Sequence, residues 1–133
     1  MNSLDTNILV YATDETEGVK HINARKLLDL AIAEGWPISA QVYGEYFSVV
    51  TRRQLTTRDE ARRVIEAWAD SMPPLPSTVT AHAAALSLAT EKQMQYWDAL
   101  IIATCAERGV KQLYTEDIPG MAKPLGVRCT SPW

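Results

Sequence analysis

Cysteine and histidine are scarce in this sequence, and their scarcity excludes several kinds of site. The 133 residues include two cysteines and two histidines. Cys105 and Cys129 lie far apart, and neither they nor His21 and His82 have the close spacing of zinc ligands. We therefore expect no zinc site and interpret both cysteines as small core residues.

Long apolar runs and an excess of positive charge are also missing. The apolar runs are too short to span a bilayer, so we expect no membrane segment. Met1, Asn2 and Ser3 are not followed by the basic and apolar regions of a secretory signal, and we expect a cytoplasmic protein. A net charge of -3 argues against a surface that binds nucleic acid everywhere, but it permits a local basic patch.

What the chain does contain is typical of a folded globular protein. Hydrophobic residues make up 47% and charged residues 22% of the sequence, which excludes extensive disorder. A chain of this length buries enough apolar surface to fold without disulfides. We predict a single domain over residues 1–133.

The order of the predicted elements indicates an α/β fold. Apolar positions at helical spacing predict helices from Val19 to a stop at Gly35, over 41–53 and over 97–106. Short runs near 37–40, 111–115 and 126–129 read as strands. Alternating strands and helices favour a mostly parallel sheet of four to five short strands with helices on both faces. The carboxyl ends of such strands meet at one edge, where ligands bind.

Four acidic residues interrupt the local patterns near this edge. Asp5 and Asp117 each follow a predicted strand. Glu45 stands on an otherwise apolar helical stripe, and Asp98 lies in the first turn of the most apolar helix. Four acids that each break a local pattern indicate a shared site rather than four unrelated exceptions.

Each acid also has a structural interpretation, which the residues alone leave open. Asp5 and Asp98 occupy positions where an acid can simply cap a helix. The side chain of Arg52 or Arg53 can reach Glu45 and form a structural ion pair.

Carboxylates that gather at one sheet edge need a compensating positive charge. Two unit charges about 4 Å apart repel by about 4 kcal/mol at an effective dielectric of 20. Neither Lys nor Arg occurs inside the four local motifs, so a divalent cation is the simplest counter-charge. Ligands that are all oxygen favour Mg²⁺ or Mn²⁺ over zinc, and such a site suits hydrolysis of a phosphodiester.

Four segments of the chain match the motifs of one known family. They are Leu4-Asp5-Thr6-Asn7, Glu45 in the second helix, Trp97-Asp98-Ala99-Leu100-Ile101, and Leu113-Tyr114-Thr115-Glu116-Asp117. With them the chain resembles a PIN-domain ribonuclease, and its small size is most similar to the VapC-type toxins of bacterial toxin-antitoxin modules. The resemblance implies a three-layer PIN-like fold and a metal-dependent endoribonuclease that hydrolyses RNA.

The same resemblance implies roles for individual residues. Asp5, Glu45, Asp98 and Asp117 would form the catalytic acidic cluster and bind Mg²⁺ (or Mn²⁺). Thr6, Asn7 and Thr115 would orient these carboxylates or bound water. Glu116 is the alternative to Asp117, which is preferred because the family's acid comes two residues after the hydroxyl. A homodimer and a small cognate antitoxin that blocks the acidic pocket are also implied.

A local excess of arginine follows the second predicted helix. Arg52, Arg53, Arg58, Arg62 and Arg63 lie close together in sequence and can track an RNA backbone. The alternative is a solvated helix face whose arginines pair with neighbouring acids. We predict that removing the charges of Arg52 and Arg53 weakens RNA binding at low salt.

Gly44 stands inside the second predicted helix, next to Glu45. Glycine at such a position costs roughly 1 kcal/mol relative to alanine. A close approach of another backbone segment would explain it, and we expect one there.

Two other functions remain open at this stage. An aspartyl-phosphate phosphatase would use Asp5 as a nucleophile, but that class needs a second acid two residues later, where this chain has Asn7. A noncatalytic PIN-like module would bind RNA or protein and keep its acids only for structure. Binding of Mn²⁺ separates the nuclease from this module.

Overall fold

The computed structural model describes residues 1–119 and 123–133, which contain six α-helices and five short strands. The strands are β1 (Asn2–Leu4), β2 (Ile38–Ser39), β3 (Pro74–Leu75), β4 (Gln112–Tyr114) and β5 (Arg128–Thr130). The helices are α1 (Thr6–Thr13), α2 (Val19–Glu34), α3 (Ala40–Arg52), α4 (Arg58–Ser71), α5 (Val79–Lys92) and α6 (Tyr96–Glu107).

All strand pairs in the described residues are parallel. β4 lies between β1 and β5, and β2 pairs with β3 in a second ladder. The hydroxyl of Ser3 in β1 donates a 2.6 Å hydrogen bond to the carbonyl of Pro37, just before β2, and so links the two ladders. The predicted α/β class with short parallel strands is confirmed, although the strands form two ladders rather than one continuous sheet.

Two helices supply much of the apolar core. α6 is buried without interruption from Ala99 to Cys105, which agrees with its lack of a polar face. The run from Ile8 to Tyr11, which is compatible in sequence with a strand or a helix, is part of α1, and Ile8, Leu9 and Val10 are buried. Among the described helices, none has both the length and the apolar character that crossing a bilayer requires.

Two local expectations are wrong. The last strand covers Arg128–Thr130 rather than 126–129, because the preceding residues form a 3₁₀ turn in which Gly126 has a φ of +82°. Gly44 is exposed on α3, and no described atom lies within 4 Å of a Cβ added there. The glycine is therefore not explained by the close backbone approach that its position suggests.

Candidate active site

Asp5 lies where β1 ends and α1 begins. Its N–H donates to the carbonyl of Tyr114 (2.9 Å), because β1 and β4 are parallel neighbours. Its Oδ1 accepts from the N–H of Thr6 (2.7 Å), and its Oδ2 accepts from the hydroxyl of Thr115 (2.7 Å). Asp5 therefore caps α1 and also stands at the carboxyl edge of the sheet, so the two interpretations of this residue are compatible.

Glu45 reaches the same edge from α3. Its Oε1 accepts from the hydroxyl of Thr6 (2.6 Å), and its Oε2 accepts from the side-chain amide of Gln41 (2.9 Å). The same amide of Gln41 donates to the carbonyl of Trp97 in the first turn of α6 (3.0 Å). Gln41 is absent from the predicted site residues, although its i, i+4 spacing to Glu45 is the signal that identifies such a partner.

Asp98 enters the site from the first turn of α6. The helix is capped by Gln95, whose side-chain oxygen accepts from the N–H of Asp98 (3.1 Å), so Asp98 is not the cap. Within residues 1–119 and 123–133, no group donates a hydrogen bond to the Asp98 carboxylate. This side chain is available to a ligand from outside the chain.

Asp117 follows β4, as predicted. Its N–H donates to the hydroxyl of Thr115 (3.0 Å), and its Oδ2 accepts from the side-chain amide of Asn7 (3.3 Å). Thr115 is thus bonded to both Asp5 and Asp117. The short turn after β4 holds these two acids near each other.

The charge of Glu116 is compensated by a lysine that does not pair with the other acids. Its carboxylate forms a salt bridge with Lys20 and accepts a 2.7 Å hydrogen bond from the hydroxyl of Tyr11. Partial burial favours the neutral acid, but these hydrogen bonds hold the pKa of Glu116 below its usual value. Lys20 and Tyr11 lie about a hundred residues before Glu116, so no local signal in the sequence identifies them.

One cavity of about 280 Å³ brings the predicted acids together. Among the residues that line it are Asp5, Glu45, Asp98, Asp117, Thr6 and Asn7. Glu116 is not part of this lining. Between the two adjacent acids, the geometry favours Asp117.

The acids of this cavity affect one another electrostatically. Burial raises the pKa of Asp5 to about 6, and repulsion from Asp98 and Glu45 adds to this increase. The hydrogen bond from Thr115 acts in the opposite direction and lowers the pKa. Burial also raises the pKa of Asp98, and the charges of Asp117 and Glu45 contribute. The cavity therefore concentrates negative charge that the surrounding residues do not compensate.

Arginine side chains do not neutralise this charge. Arg53 lines the cavity, but its guanidinium donates to Asp14 (3.1 Å). Arg52 takes part in no ion pair with the described residues, and none of their salt bridges includes any of the four acids. The alternative in which Arg52 or Arg53 pairs with Glu45 is wrong.

The side chains of the cavity fit a hard divalent cation. Its potential ligands are oxygens, and neither histidine nor cysteine lines it. In the described part of the chain, no three His, Cys, Asp or Glu side chains are already arranged to hold an ion. Mg²⁺ commonly binds proteins through one or two carboxylates and keeps several water ligands.

Comparisons with known proteins find the same fold in several solved structures. A chain of a toxin-antitoxin complex from Klebsiella pneumoniae matches with a TM-score of 0.69 and 20% identity, over 100% of this chain and 98% of that chain. DNA-bound VapBC from Salmonella typhimurium matches with a TM-score of 0.72 and 15% identity, over 99% and 98%. VapC20 of Mycobacterium tuberculosis, a sarcin-ricin loop cleaving toxin, matches with a TM-score of 0.66 and 18% identity, over 88% and 90%.

At these levels of identity the solved structures establish a shared fold. No curated protein sequence matches the chain. The family described as "PIN domain" matches residues 3–118, which is most of the sequence and includes all four predicted acids. The predicted resemblance is confirmed, and the chain belongs to the PIN domain family.

Proposed function

We propose that this chain is a divalent-metal-dependent endoribonuclease that acts as the toxin of a toxin-antitoxin pair. The observation that carries the proposal is a cavity lined by five carboxylates, the four predicted acids and Glu17. None of the five forms a salt bridge with a cationic side chain of the described residues. An RNA phosphodiester is also negative, so this cavity repels its substrate unless a cation is bound. Family membership and the folds of the structural neighbours support the same activity.

The four acids would hold the cation. Asp5, Glu45, Asp98 and Asp117 are the proposed ligands for Mg²⁺ or Mn²⁺, directly or through water. When bound, such an ion supplies an activated water and stabilises charge on the phosphate. Asp98 differs from the other three proposed ligands, because its carboxylate accepts no hydrogen bond from the described residues.

Polar side chains hold three of the four acids in place. Each of three residues donates to one acid: Thr6 to Glu45, Asn7 to Asp117 and Thr115 to Asp5. The bond from Asn7 leaves Oδ1 of Asp117 without a donor among the described residues. Both oxygens of Asp5 and both oxygens of Glu45 accept a hydrogen bond, and each oxygen keeps a second lone pair for a cation. Loss of a partner of this kind typically lowers metal affinity or activity about 10- to 100-fold.

Arg52, at the end of α3, is the proposed RNA-binding cation, whereas the neighbouring Arg53 forms a salt bridge with Asp14. Arg62 and Arg63 also pair with acids, which lie one turn away on α4, at 2.6 and 2.8 Å. For these two arginines the solvated, self-paired helix face is therefore the better interpretation.

The partners of the protein are also proposals. The similar structures include toxin-antitoxin complexes, which supports a small cognate antitoxin that covers the acidic cavity. We further propose a homodimer in the cytoplasm, in which residues 1–133 act as a single domain.

The decisive experiment compares the wild type with Asp98→Asn. Each is expressed in cells, and the new RNA ends are mapped. The purified proteins are then assayed on the mapped RNA with Mg²⁺, with Mn²⁺ and with a chelator. Asp59→Asn is the matched control, because it makes the same chemical change at an exposed α4 residue that pairs with Arg63 outside the cavity.

The expected result is specific cleavage by the wild type and by Asp59→Asn, in both cases lost with chelator, and no cleavage by Asp98→Asn. RNA binding without new ends in any variant would support the noncatalytic module instead. Cleavage that survives both Asp98→Asn and the chelator would remove the metal-dependent mechanism.

A further inference from the structure

A groove adjoins the acidic cavity along the outer face of α3. It has a volume of about 440 Å³ and is lined by Thr6, Gln41, Gly44, Glu45, Ser48 and Arg52, with Val49 at its base. Thr6, Glu45 and Val49 also line the acidic cavity. The groove and the cavity therefore share a wall, with the acids on the cavity side and Arg52 at the other end of the groove.

The floor of the groove is unusually open. Gly44, Ser48 and Arg52 follow each other at one-turn spacing, and all three are exposed. No described atom lies within 4 Å of a Cβ added at Gly44. Contacts within the described chain thus do not require a glycine here, whereas a ligand lying against the helix would.

Arg52 is the cation at the far end of this floor. It lies about 10 Å along the helix axis from Glu45, and helical side chains lean toward the N-terminus, which directs Arg52 back along the groove. It forms no ion pair with the described residues, unlike Arg53, which is bonded to buried Asp14. Arg52 is therefore free to contact an anion.

Gln41 supplies a polar group where the groove meets the cavity. Its amide nitrogen donates to Glu45 and to the carbonyl of Trp97, and these two acceptors determine the orientation of the amide. Its carbonyl oxygen is buried and receives no hydrogen bond from the described residues. Through its amide nitrogen, Gln41 holds Glu45 in place at the end of the groove nearest the acids.

We propose that this groove binds the RNA backbone next to the scissile phosphodiester. Arg52 contacts a flanking phosphate, and Gly44 and Ser48 leave room for the RNA chain. Gln41 holds Glu45 at the end of the groove nearest the acids. The proposal rests on the nuclease function. It adds the path of the bound RNA, which leaves the cavity along α3. It also separates the two arginines: Arg52 binds RNA, whereas Arg53 stabilises the fold.

The test measures kcat and KM on two RNAs that contain the step cleaved by the wild type. One is a single-stranded RNA of 20 nucleotides, and the other is a trinucleotide too short to fill the groove. The variants are Arg52→Gln and Gly44→Leu, with Arg52→Lys as the conservative rescue. Arg108→Gln and Ala83→Leu are the controls, because both residues are exposed and neither lines the groove.

We expect Arg52→Gln and Gly44→Leu to raise KM for the 20-nucleotide RNA about tenfold, with kcat within about twofold of the wild type. The trinucleotide should be cleaved equally by all variants. The dependence of log(kcat/KM) on log salt should lose about 0.7 in slope for Arg52→Gln and remain unchanged for Arg108→Gln. Arg52→Lys should recover most of the loss.

Several outcomes would contradict the proposal that the groove binds RNA. Unchanged KM in Arg52→Gln is one, and it applies even if Gly44→Leu fails to fold. Equal losses on the long RNA and the trinucleotide would indicate a structural effect. Loss of antitoxin binding with cleavage unchanged would assign the groove to a protein partner. If the wild type cleaves no RNA, the nuclease function fails and the groove proposal fails with it.

Discussion

Two buried aspartates mark the two ends of α1, and their surroundings differ. Asp5 is 8% exposed and precedes the helix, whereas Asp14 is 4% exposed and follows it. Each caps the helical turn that comes after it: Asp5 caps α1, and Asp14 caps a 3₁₀ turn by accepting from Thr16. By burial and by local role the two residues are nearly equivalent.

Their electrostatic surroundings are opposite. Asp14 accepts from the hydroxyl of Thr16 (2.6 Å) and from Arg53 (3.1 Å). Despite burial, the hydrogen bonds from Thr16 and the charge of Arg53 hold the pKa of Asp14 below its usual value. Asp5 has no cationic partner among the described residues, and its pKa is about 6. A buried acid that the chain neutralises stabilises the fold, whereas one left without a counter-charge is ready to bind a cation.

The largest expected difference between the two aspartates is in catalysis. Asp5→Asn should lower RNA cleavage by at least about 100-fold, because it removes a proposed metal ligand and not merely a partner of one. Asp14→Asn should retain the wild-type rate per folded molecule, because Asp14 does not line the cavity. Cleavage rates are divided by the folded fraction from circular dichroism. Equal losses of cleavage in both variants would contradict the prediction that Asp5, and not Asp14, acts in catalysis.

The next effect concerns the hydroxyls that bond to the two aspartates. Thr115→Val removes the donor to Asp5 and the acceptor for the Asp117 N–H, so we expect a loss of about 10- to 100-fold in Mn²⁺ affinity and in cleavage. Thr16→Val removes the donor to Asp14 and should leave both quantities unchanged. Mn²⁺ titration by calorimetry measures the first quantity. Normal Mn²⁺ affinity in Thr115→Val would contradict the proposed role of this hydroxyl.

The smallest effect is on stability, and it has opposite signs for the two aspartates. Folding raises the pKa of Asp5 from 3.8 to about 6. The protonated carboxyl group therefore contributes stability that is fully present below pH 4 and is lost as the pH rises through 6. At pH 7 without divalent metal, the ionised carboxylate costs up to about 3 kcal/mol. Asp5→Asn should therefore raise the melting temperature at pH 7, and this gain should shrink toward pH 4.

Asp14 should behave in the reverse way. Its folded pKa is below the unfolded value of 3.8, so its contribution is present above pH 4 and lost as the pH falls through the folded pKa. Asp14→Asn should lower the melting temperature at pH 7, with a smaller deficit in strong acid. Thermal melts at several pH values in a chelating buffer check both signs. A destabilised Asp5→Asn protein at pH 7 would contradict the account of its carboxylate.

Local chemistry made much of the fold predictable. Thr57 followed by Glu60 is typical of a helix start, and α4 begins at Arg58 with the Thr57 hydroxyl accepting from the Glu60 N–H (3.1 Å). The positions of Asp5 and Asp117 after strands likewise follow from short-range pattern and from the rule that parallel strands end at one edge. Membership in the PIN domain family was visible from the four motifs.

The sequence by itself determined the order of strands and helices, the type of fold and the acids available for a site, because these depend on neighbours within a turn or two. Only the tertiary structure decided that Glu116 is neutralised by Lys20 while Asp117 lines the cavity, and that Arg53 belongs to Asp14. It also decided that Gln41 links Glu45 to α6. Most of these contacts join residues that are distant along the chain. Whether a charge has a partner depends on distance in space, which a local pattern of residues does not contain.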